Sequence, residues 1–323
     1  MNILWLYKYA AGYNFDHWFH MDFANVLKNT EGVELMAYGQ DLEKGYPELA
    51  PHAWSPDITL QDIKQWFDFD VIIMNTKSRM FENYRPALFP YGEEMRVNCW
   101  LPKDLPSSNI PKILIEEDYH YEKTDEWYVE QRIDLILQRH YSQSLRTENI
   151  PMKWLPISVD EKTFCSDGRE RIKQICFAGS CSHEIYVHRK RVREILQPLN
   201  MLINFEQQKK ESDYVDCLKS YVSHLCGSSI YHITAGKMVE ILASGSILFT
   251  NDSDKYGLQL LMPRNTYVTY KEDYSDVIEK AKKILNDDSF VKETTEKARK
   301  VILERHTNDI RAKELIDIIK KMR

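Results

Sequence analysis

The residues best suited to chemistry are a lysine and a glutamate on one predicted helix. Gly236 precedes Lys237 at the helix start and Glu240 follows one turn later, in a segment that begins at Thr234. N–H groups at a helix start are unpaired and the helix dipole favours an anion, so a first-turn lysine indicates an anionic ligand. A carboxylate one turn later can bind two vicinal hydroxyls, as in dinucleotide folds. The segment predicts a nucleotide site, with an ordinary surface glutamate as the alternative for Glu240.

A second phosphate-binding candidate follows the predicted strand 174–178. Gly179 and Ser180 lie between this strand and a helix, where backbone N–H groups and the positive end of the helix dipole suit a diphosphate. Arg189 follows on the helix and can reach phosphate oxygens. A solvated basic helix face is the alternative for the cluster His188, Arg189, Lys190, Arg191 and Arg193.

The elements that must position these residues alternate along the whole chain. Short apolar, β-branched runs are separated by amphipathic stretches, which is the pattern of βα units on a parallel sheet. In the second half the pattern predicts a helix over 214–225 and a strand over 229–233. Two helices over 274–286 and 289–306 and a basic amphipathic segment over 309–321 complete the chain.

The length of 323 residues is about twice that of a usual single domain. We therefore expect two α/β domains that share one cleft. The polar stretch 165–171 separates two sets of βα units, so we place the boundary there. The prediction is an N-terminal domain at residues 1–168 and a C-terminal domain at 169–323, with room for the last helix to pack back on the first domain.

Residues 78–111 interrupt this alternation. The segment is rich in prolines and in aromatic residues, a composition more typical of a binding excursion or a lid than of a simple connector. Its aromatic rings could stack on an apolar or carbohydrate face of a ligand. Packing of the same rings onto the domain is the alternative.

Composition excludes several classes of protein. A net charge of −6 and a pI of about 6.0 lack the basic surplus of nucleic-acid binders, so we expect no nucleic-acid partner. Neither a secretory h-region nor a run of about 20 apolar residues occurs, which predicts a cytoplasmic protein without a transmembrane segment. Peripheral contact with a membrane from that side stays compatible with these features.

The six cysteines form no CxxC pair and are scattered along the chain. Neither a zinc site nor a disulfide framework is indicated by this spacing. We therefore expect reduced, mostly buried thiols and no bound metal.

Three segments together resemble the GT-B glycosyltransferases, especially the group-1 or CgeB-like branch. Residues 237–248, KMVEILASGSIL, resemble the family's R/K-x-x-E-x-x-A-x-G segment. Residues 154–164, WLPISVDEKTF, resemble its hydrophobic-P-x-x-V-D-x-x-x-F hinge between domains, and residues 305–311, RHTNDIR, resemble its H-T-x-x-x-R ending. The ordered set covers about half of the chain.

This resemblance implies a fold, a reaction and a donor site. The fold is α/β of the GT-B type, with two Rossmann-like domains whose parallel sheets face each other across a cleft. The reaction is transfer of a sugar from a nucleotide-diphosphate sugar, such as a UDP-sugar or a GDP-sugar, to a hydroxyl of a glycan, lipid, protein or small molecule. Gly179 and Ser180 would lie against the diphosphate, Lys237 would neutralise it, and Glu240 would hold the ribose. The loop with Gly12 would face the acceptor.

The chain departs from the family pattern at one position. Retaining members commonly carry a second glutamate eight positions before the one matched by Glu240, and His232 stands there. The stereochemical outcome is therefore open. His232 could donate to a phosphate or a sugar hydroxyl, or be a core histidine with satisfied hydrogen bonds.

Glycosyl transfer needs stabilisation of the departing diphosphate and, with inversion, a base for the acceptor hydroxyl. Basic side chains and helix N-termini can meet the first need, and no DxD motif lies in a suitable loop, so we expect no metal and no cofactor. The histidines among the base candidates have near-neutral reference pKa values, which favours them as proton acceptors. The candidates, all near predicted strand ends of the first domain, are Asp16, His17, Asp118 and His120.

Three other functions stay open at this point. A catalytically inert GT-B protein, which binds a nucleotide or another protein, could tolerate the loss of one glutamate. A nucleotide-sugar epimerase could use the same two-domain architecture. A two-lobed periplasmic-type binding protein is disfavoured, because a signal peptide is lacking and basic phosphate-site residues are present.

Overall fold

The computed structural model describes most of the chain as two compact units. The described residues are 1–7, 23–39, 42–55, 57–76, 101–116, 125–141, 149–179, 186–205, 211–228, 233–251 and 257–322. Unit 1 comprises Met1–Arg139, Gln143–Leu155 and Ala312–Arg323, and unit 2 comprises His140–Ser142 and Pro156–Arg311. Residues 156–168, which the sequence-based division assigns to the first domain, thus group with unit 2.

Unit 1 contains a parallel sheet of six strands in the order β2-β1-β3-β4-β5-β6. Both faces of the sheet are covered: Ile3 and Trp5 contact one apolar cluster, and Leu4 and Leu6 contact another. Near-continuous apolar runs are what a doubly covered parallel strand requires. The strands are β1 (Asn2–Leu6), β2 (Glu34–Tyr38), β3 (Val71–Thr76), β4 (Lys112–Glu116), β5 (Leu135–Gln138) and β6 (Met152–Trp154).

Short helices join these strands. The helix at Leu60–Lys64 begins as the sequence predicts, because Thr59 and Asp62 form a capping box in which each side chain accepts the other's backbone N–H. The described helices of this part of the chain are α1 (seen from residue 23 to residue 28), α2 (Leu42–Gly45), α3 (Leu60–Lys64) and α4 (Asp125–Glu130).

Unit 2 contains a parallel sheet of five strands in the order β11-β10-β9-β7-β8. The prediction of a helix over 214–225 is wrong in its second part, since the helix ends at Ser220 and residues 221–225 form a fully buried strand. The strands are β7 (Ile172–Ala178), β8 (Leu202–Phe205), β9 (Tyr221–Leu225), β10 (Ile247–Asn251) and β11 (Val268–Tyr270).

The other helices of the second half agree with the sequence in type and in approximate position, except for a four-residue helix at Leu258–Leu261 that the sequence does not predict. The last of them crosses the division, and its buried residues Ala312, Leu315, Ile316 and Ile319 belong to the core of unit 1. No helix of the described ranges is long and apolar enough to span a bilayer. The helices are α5 (Val187–Leu196), α6 (Glu211–Ser220), α7 (Gly236–Ala243), α8 (Leu258–Leu261), α9 (Val277–Asn286), α10 (Asp288–Arg305) and α11 (Asn308–Lys320).

Candidate functional site

The carboxyl ends of β7, β9 and β10 lie side by side at one edge of the second sheet. Strand β9 pairs in parallel with both neighbours, so all three strands end at the same edge. Gly179 follows β7, Gly227 follows β9 by two residues, and Asn251 ends β10. Ligands of open α/β sheets bind outside this edge. It is therefore the candidate site of unit 2.

Lys237 reaches this edge from the first turn of α7. Its Nζ donates a hydrogen bond to the carbonyl oxygen of Ala178, the last residue of β7. A Cβ added to Gly179 would lie 3.5 Å from the same Nζ. The structure thus brings together Gly179 and Lys237, which the sequence places on separate elements. Because Gly179 has no side chain, the space beside the ammonium is left open.

The Lys237 ammonium lies in an environment that disfavours its own charge. Burial lowers its pKa, and the nearby Arg189 guanidinium acts in the same direction, while Cys226 and Glu240 act against the shift. The Tyr214 ring lies 5.2 Å from Nζ and offers its π face. An anion bound beside Nζ would stabilise the charged form, because an opposite charge offsets desolvation.

Arg189 supplies a second cation from the first turn of α5. Its Nε donates to the carbonyl oxygen of Gly227 at 3.1 Å, and its guanidinium carbon lies 4.4 Å from the ring centroid of Tyr186. The backbone is close-packed here, since a Cβ on Gly227 would come within 3.1 Å of the Tyr270 hydroxyl. These contacts hold Arg189 against the loop that follows β9.

Glu240 lies on the same face of α7 as Lys237, three residues later. The Tyr214 hydroxyl donates to its Oε2 at 2.5 Å. Burial, followed by the Glu240 charge, raises the pKa of Tyr214, so the phenol keeps the proton that it donates. A carboxylate in this position can accept further hydrogen bonds from hydroxyl groups of a ligand.

The start of α7 adds backbone N–H groups to the site. Ala235 at the N-cap has no side chain that could cap the first turn, where the backbone N–H of Met238 donates to the Ala235 carbonyl oxygen at 2.9 Å. The preceding residue, Thr234, is buried, and its carbonyl oxygen lies 2.9 Å from Nδ1 of His140. This contact anchors the loop that leads into the helix, and the N-terminus with Lys237 is the arrangement that suits a phosphate group.

Comparison with known proteins gives this arrangement its context. Residues 178–317 match a family model described as glycosyl transferase-like. A glycosyltransferase from Rickettsia africae is similar in structure, with a TM-score of 0.63 at 12% identity over 99% of this chain and 98% of that one. An alpha-glucosyltransferase in complex with UDP gives 0.64 at 12% identity over 99% and 100% of the two chains. The chain has the GT-B glycosyltransferase fold.

A further solved structure with UDP has a similar fold. An alpha-glucosyltransferase in complex with UDP and a 13-mer DNA containing an A:G mismatch gives a TM-score of 0.63 at 11% identity over 99% of each chain. No match to a curated protein reaches significance. The predicted GT-B fold class is confirmed, and the matching domain and fold together support a glycosyltransferase.

The glycosyl transferase-like domain contains the described candidate residues Gly179, Arg189, Thr234, Gly236, Lys237 and Glu240. The structure gathers them at or near the carboxyl edge of the sheet. The other candidates lie outside the described residues and stay predictions: the donor-site residues Ser180 and His232, the acceptor-loop residue Gly12, and the base candidates Asp16, His17, Asp118 and His120.

Two residues at the candidate site, Tyr214 and Asn251, were missed in the sequence analysis. Tyr214 contacts both Lys237 and Glu240, and Asn251 accepts from the Ser228 backbone N–H at 2.9 Å through Oδ1. The short run 221–226 before Gly227, which contains tyrosine, valine and leucine, is the signal that could have revealed the end of β9. Its interpretation as a helix concealed that end, because a helix would not place Gly227 at a sheet edge.

A buried cluster of soft metal-ligand types lies close to Lys237. The cluster consists of Cys176, Cys217 and His224, each of which places one possible ligand atom within 4.8 Å of the other two. The two sulfurs are 3.6 Å apart, and Nε2 of His224 lies 3.2 Å from the Leu218 carbonyl oxygen. Burial lowers the pKa of His224 to about 3, and the Lys237 charge adds to this shift. These groups pair with one another and with the backbone, and the neighbouring ammonium would oppose a bound cation.

The two outer segments of the family resemblance meet each other in unit 2. The backbone N–H of Val159 donates to His306 at 3.0 Å, and that of Asn308 donates back to Val159 at 2.9 Å. Arg311 is buried, and its guanidinium lies 3.1 Å from Nδ1 of His306. In this GT-B chain the H-T-x-x-x-R ending therefore anchors the segment that begins unit 2.

Proposed function

We propose that this chain transfers a sugar from a nucleoside-diphosphate sugar to a hydroxyl acceptor. One observation carries the proposal: Lys237, Arg189 and the start of α7 meet at the carboxyl edge of the second sheet, with Glu240 one helical turn away. Two cations and backbone N–H groups suit a diphosphate, and a carboxylate suits the hydroxyls of a ribose.

The diphosphate would lie beside Gly179 and Lys237. A phosphate oxygen near Nζ would offset the desolvation that lowers the pKa of this lysine. Arg189 is close enough to Lys237 to influence that pKa, so both cations would act on the same anionic group. Ser180, Gly236 and His232 stay candidates for further hydrogen bonds to the donor.

In the reaction the acceptor hydroxyl oxygen forms a bond to the anomeric carbon, and the bond from that carbon to the diphosphate oxygen breaks. The electron pair leaves with the nucleoside diphosphate, whose charge Lys237, Arg189 and the helix start would stabilise. The hydroxyl proton passes to a base, for which Asp16, His17, Asp118 and His120 are our candidates. Because protein cations meet the leaving group, we propose that the transfer needs no metal and no cofactor.

The finer assignments follow the resemblance and the neighbours. UDP in the related alpha-glucosyltransferase structures favours a uridine nucleotide among the donors to be tested. One of those structures holds DNA, but the net charge of −6 of this chain favours a glycan, lipid, protein or small-molecule acceptor. We further propose the CgeB-like branch and a cytoplasmic location, on the sequence features alone.

A catalytically inert nucleotide-binding protein is the second candidate. It is favoured by His232, which stands where retaining relatives of the resembled family carry a glutamate. A nucleotide-sugar epimerase is the third, and it would have to exchange a carbon-bound proton with solvent. The three functions differ in what they do to a donor sugar after it binds.

A thermal-shift screen followed by a turnover assay tests the proposal. UDP, GDP, ADP, CMP, TDP and their sugar conjugates are added with and without a divalent metal, and a ligand at a hundred times its Kd adds about 2.7 kcal/mol of stability. We expect one nucleotide to raise Tm without metal, its sugar conjugate to be transferred or hydrolysed, and Glu240→Ala to lose turnover. Binding without turnover would favour the inert protein, and deuterium uptake from solvent into the sugar would favour the epimerase.

A further inference from the structure

A buried tyrosine contacts Lys237 and Glu240 of the candidate donor site. We propose that Tyr214 is a positioning residue that orients Glu240 towards the ribose and thereby sets the preference for ribonucleotides over deoxyribonucleotides. This inference rests on the proposed function, because it assigns Tyr214 a role through Glu240 at the same site.

Tyr214 is held by packing before any ligand binds. It lies on α6 with 4% of its surface exposed, and its ring meets Phe164 edge to face at a centroid distance of 6.2 Å. Phe164 ends the segment 154–164, in which Val159 is hydrogen-bonded to His306 and Asn308. The phenol therefore projects from a fixed ring, which is a requirement for a group that orients another one.

The hydroxyl of Tyr214 acts on one oxygen of the Glu240 carboxylate. The 2.5 Å contact to Oε2 restrains the orientation of the carboxylate, and a hydrogen bond to an ionised acceptor is about twice as strong as a neutral one. A fixed carboxylate is the condition for selective recognition of a vicinal diol, because both hydroxyls must meet acceptors in one geometry.

The ring of Tyr214 has a separate contact with Lys237. Its centroid lies 5.2 Å from Nζ, within the range of a cation–π interaction. The hydroxyl and the ring thus serve two different residues, and a phenylalanine would remove the first contact while it keeps the second. This separation makes Tyr214→Phe a specific test of the hydroxyl.

The experiment compares ribose selectivity in matched variants. Kd values for UDP and 2′-deoxy-UDP are measured by calorimetry on the wild-type chain, Tyr214→Phe and Tyr221→Phe, and GDP and ADP with their 2′-deoxy forms serve as parallel probes. Tyr221 is also a buried tyrosine of unit 2, and its ring packs on Phe205 and His224 rather than on the site. We expect Tyr214→Phe to reduce the preference for the ribonucleotide about tenfold, and Tyr221→Phe to leave it unchanged.

A double variant separates positioning from general loosening of the structure. If Tyr214 acts through Glu240, Tyr214→Phe combined with Glu240→Gln should lose no more selectivity than Glu240→Gln alone. Additive losses, or an unchanged ribose preference in Tyr214→Phe, would overturn the proposal while nucleotide binding by the wild-type chain still supports the proposed function. Failure of the wild-type chain to bind any of the three ribonucleotides would overturn this proposal, and failure to bind CMP and TDP as well would refute the proposed function.

Discussion

Nζ of Lys237 donates a hydrogen bond to the carbonyl oxygen of Ala178, and so joins the start of α7 to the end of β7. The same atom lies beside Gly179 and above the ring of Tyr214. The positive charge of a lysine in the first turn of a helix interacts unfavourably with the helix dipole. Burial, in addition, lowers the pKa of Lys237. Both costs are offset if the ammonium serves a bound anion.

Replacement of Lys237 should therefore weaken binding of phosphate groups selectively. We expect Lys237→Ala to raise the Kd of a nucleoside diphosphate by about tenfold or more, because a charge-assisted hydrogen bond is lost, and to change nucleoside binding much less. Calorimetry with UDP and uridine measures both effects. Lys190→Ala, on the exposed side of α5, is the control and should change neither. Equal losses for the two ligands would refute the role of Lys237.

Gly179 allows a test in which binding and stability separate. A Cβ at this position would meet Phe177 at 3.4 Å and Lys237 Nζ at 3.5 Å, which are ordinary contact distances. We expect Gly179→Ala to leave the free energy of unfolding within about 1 kcal/mol of wild type. The methyl group would nevertheless occupy the space beside the ammonium, so diphosphate affinity should fall clearly.

Gly227 at the same edge of the sheet offers a comparison in stability, because the space there is tighter. A Cβ on Gly227 would lie 3.1 Å from the Tyr270 hydroxyl and 3.3 Å from Asn251 Oδ1. Gly227→Ala should cost about 1–3 kcal/mol of stability, because its neighbours must shift. Urea unfolding and UDP titration of both variants test the pair, and normal UDP affinity in Gly179→Ala would contradict the proposed phosphate position.

The approximate place of the site could be predicted from the sequence, because parallel strands end at one edge. The run from Ile175 to Ala178 is buried and apolar, and a glycine after it marks the end of a strand. Gly236 and Lys237 mark a helix start by composition alone. In a parallel α/β sheet each strand ends, and the helix after it begins, at the same edge. The proximity of the strand end at Ala178 and the helix start at Gly236 therefore follows from topology.

The boundary between α6 and β9 could not be predicted in the same way. Tyr214, Leu218, Val222 and Leu225 are buried and follow a spacing of three or four residues, which indicates one continuous amphipathic helix. Every residue of β9 is buried, so the apolar residues of this strand fit a helical spacing as well as an alternating one. Tyr214 fits the same apolar spacing, so in the sequence it resembles an ordinary core residue. Only its contacts in the structure reveal the hydrogen bond to Glu240.

The C-terminal resemblance leads to a prediction about stability rather than binding. Arg311 has 2% of its surface exposed, and its guanidinium contacts the carbonyl oxygen of Arg305 at 3.2 Å and Nδ1 of His306 at 3.1 Å. Arg311→Ala should cost about 2 kcal/mol, because it removes the donor from the buried Nδ1 of His306 and from the partly buried carbonyl oxygen of Arg305. Lys313→Ala, exposed on the same helix, should be neutral in urea unfolding. A neutral effect of Arg311→Ala would show that the H-T-x-x-x-R ending does not anchor unit 2.

His306 should make the stability of the protein depend on pH. Burial lowers its pKa to about 4, and the charges of Arg311 and Arg305 act in the same direction. Its Nε2 lies 3.0 Å from the Leu261 carbonyl oxygen and its Nδ1 faces Arg311, so the folded state requires a neutral ring with the proton on Nε2. Protonation of Nδ1 would place two positive groups 3.1 Å apart in a buried site.

The direction of the pH effect follows from the two pKa values of His306. The folded value of about 4 lies below the unfolded value of about 6.5, so the unfolded chain binds the proton more readily. The stabilisation is fully present above about pH 6.5 and is lost as pH falls towards 4, on the order of 3 kcal/mol in total. Urea unfolding between pH 7 and pH 4 should give a smaller loss in His306→Gln than in wild type. Identical pH slopes in the two proteins would mean that other groups, such as His224 with a pKa of about 3, account for the acid sensitivity.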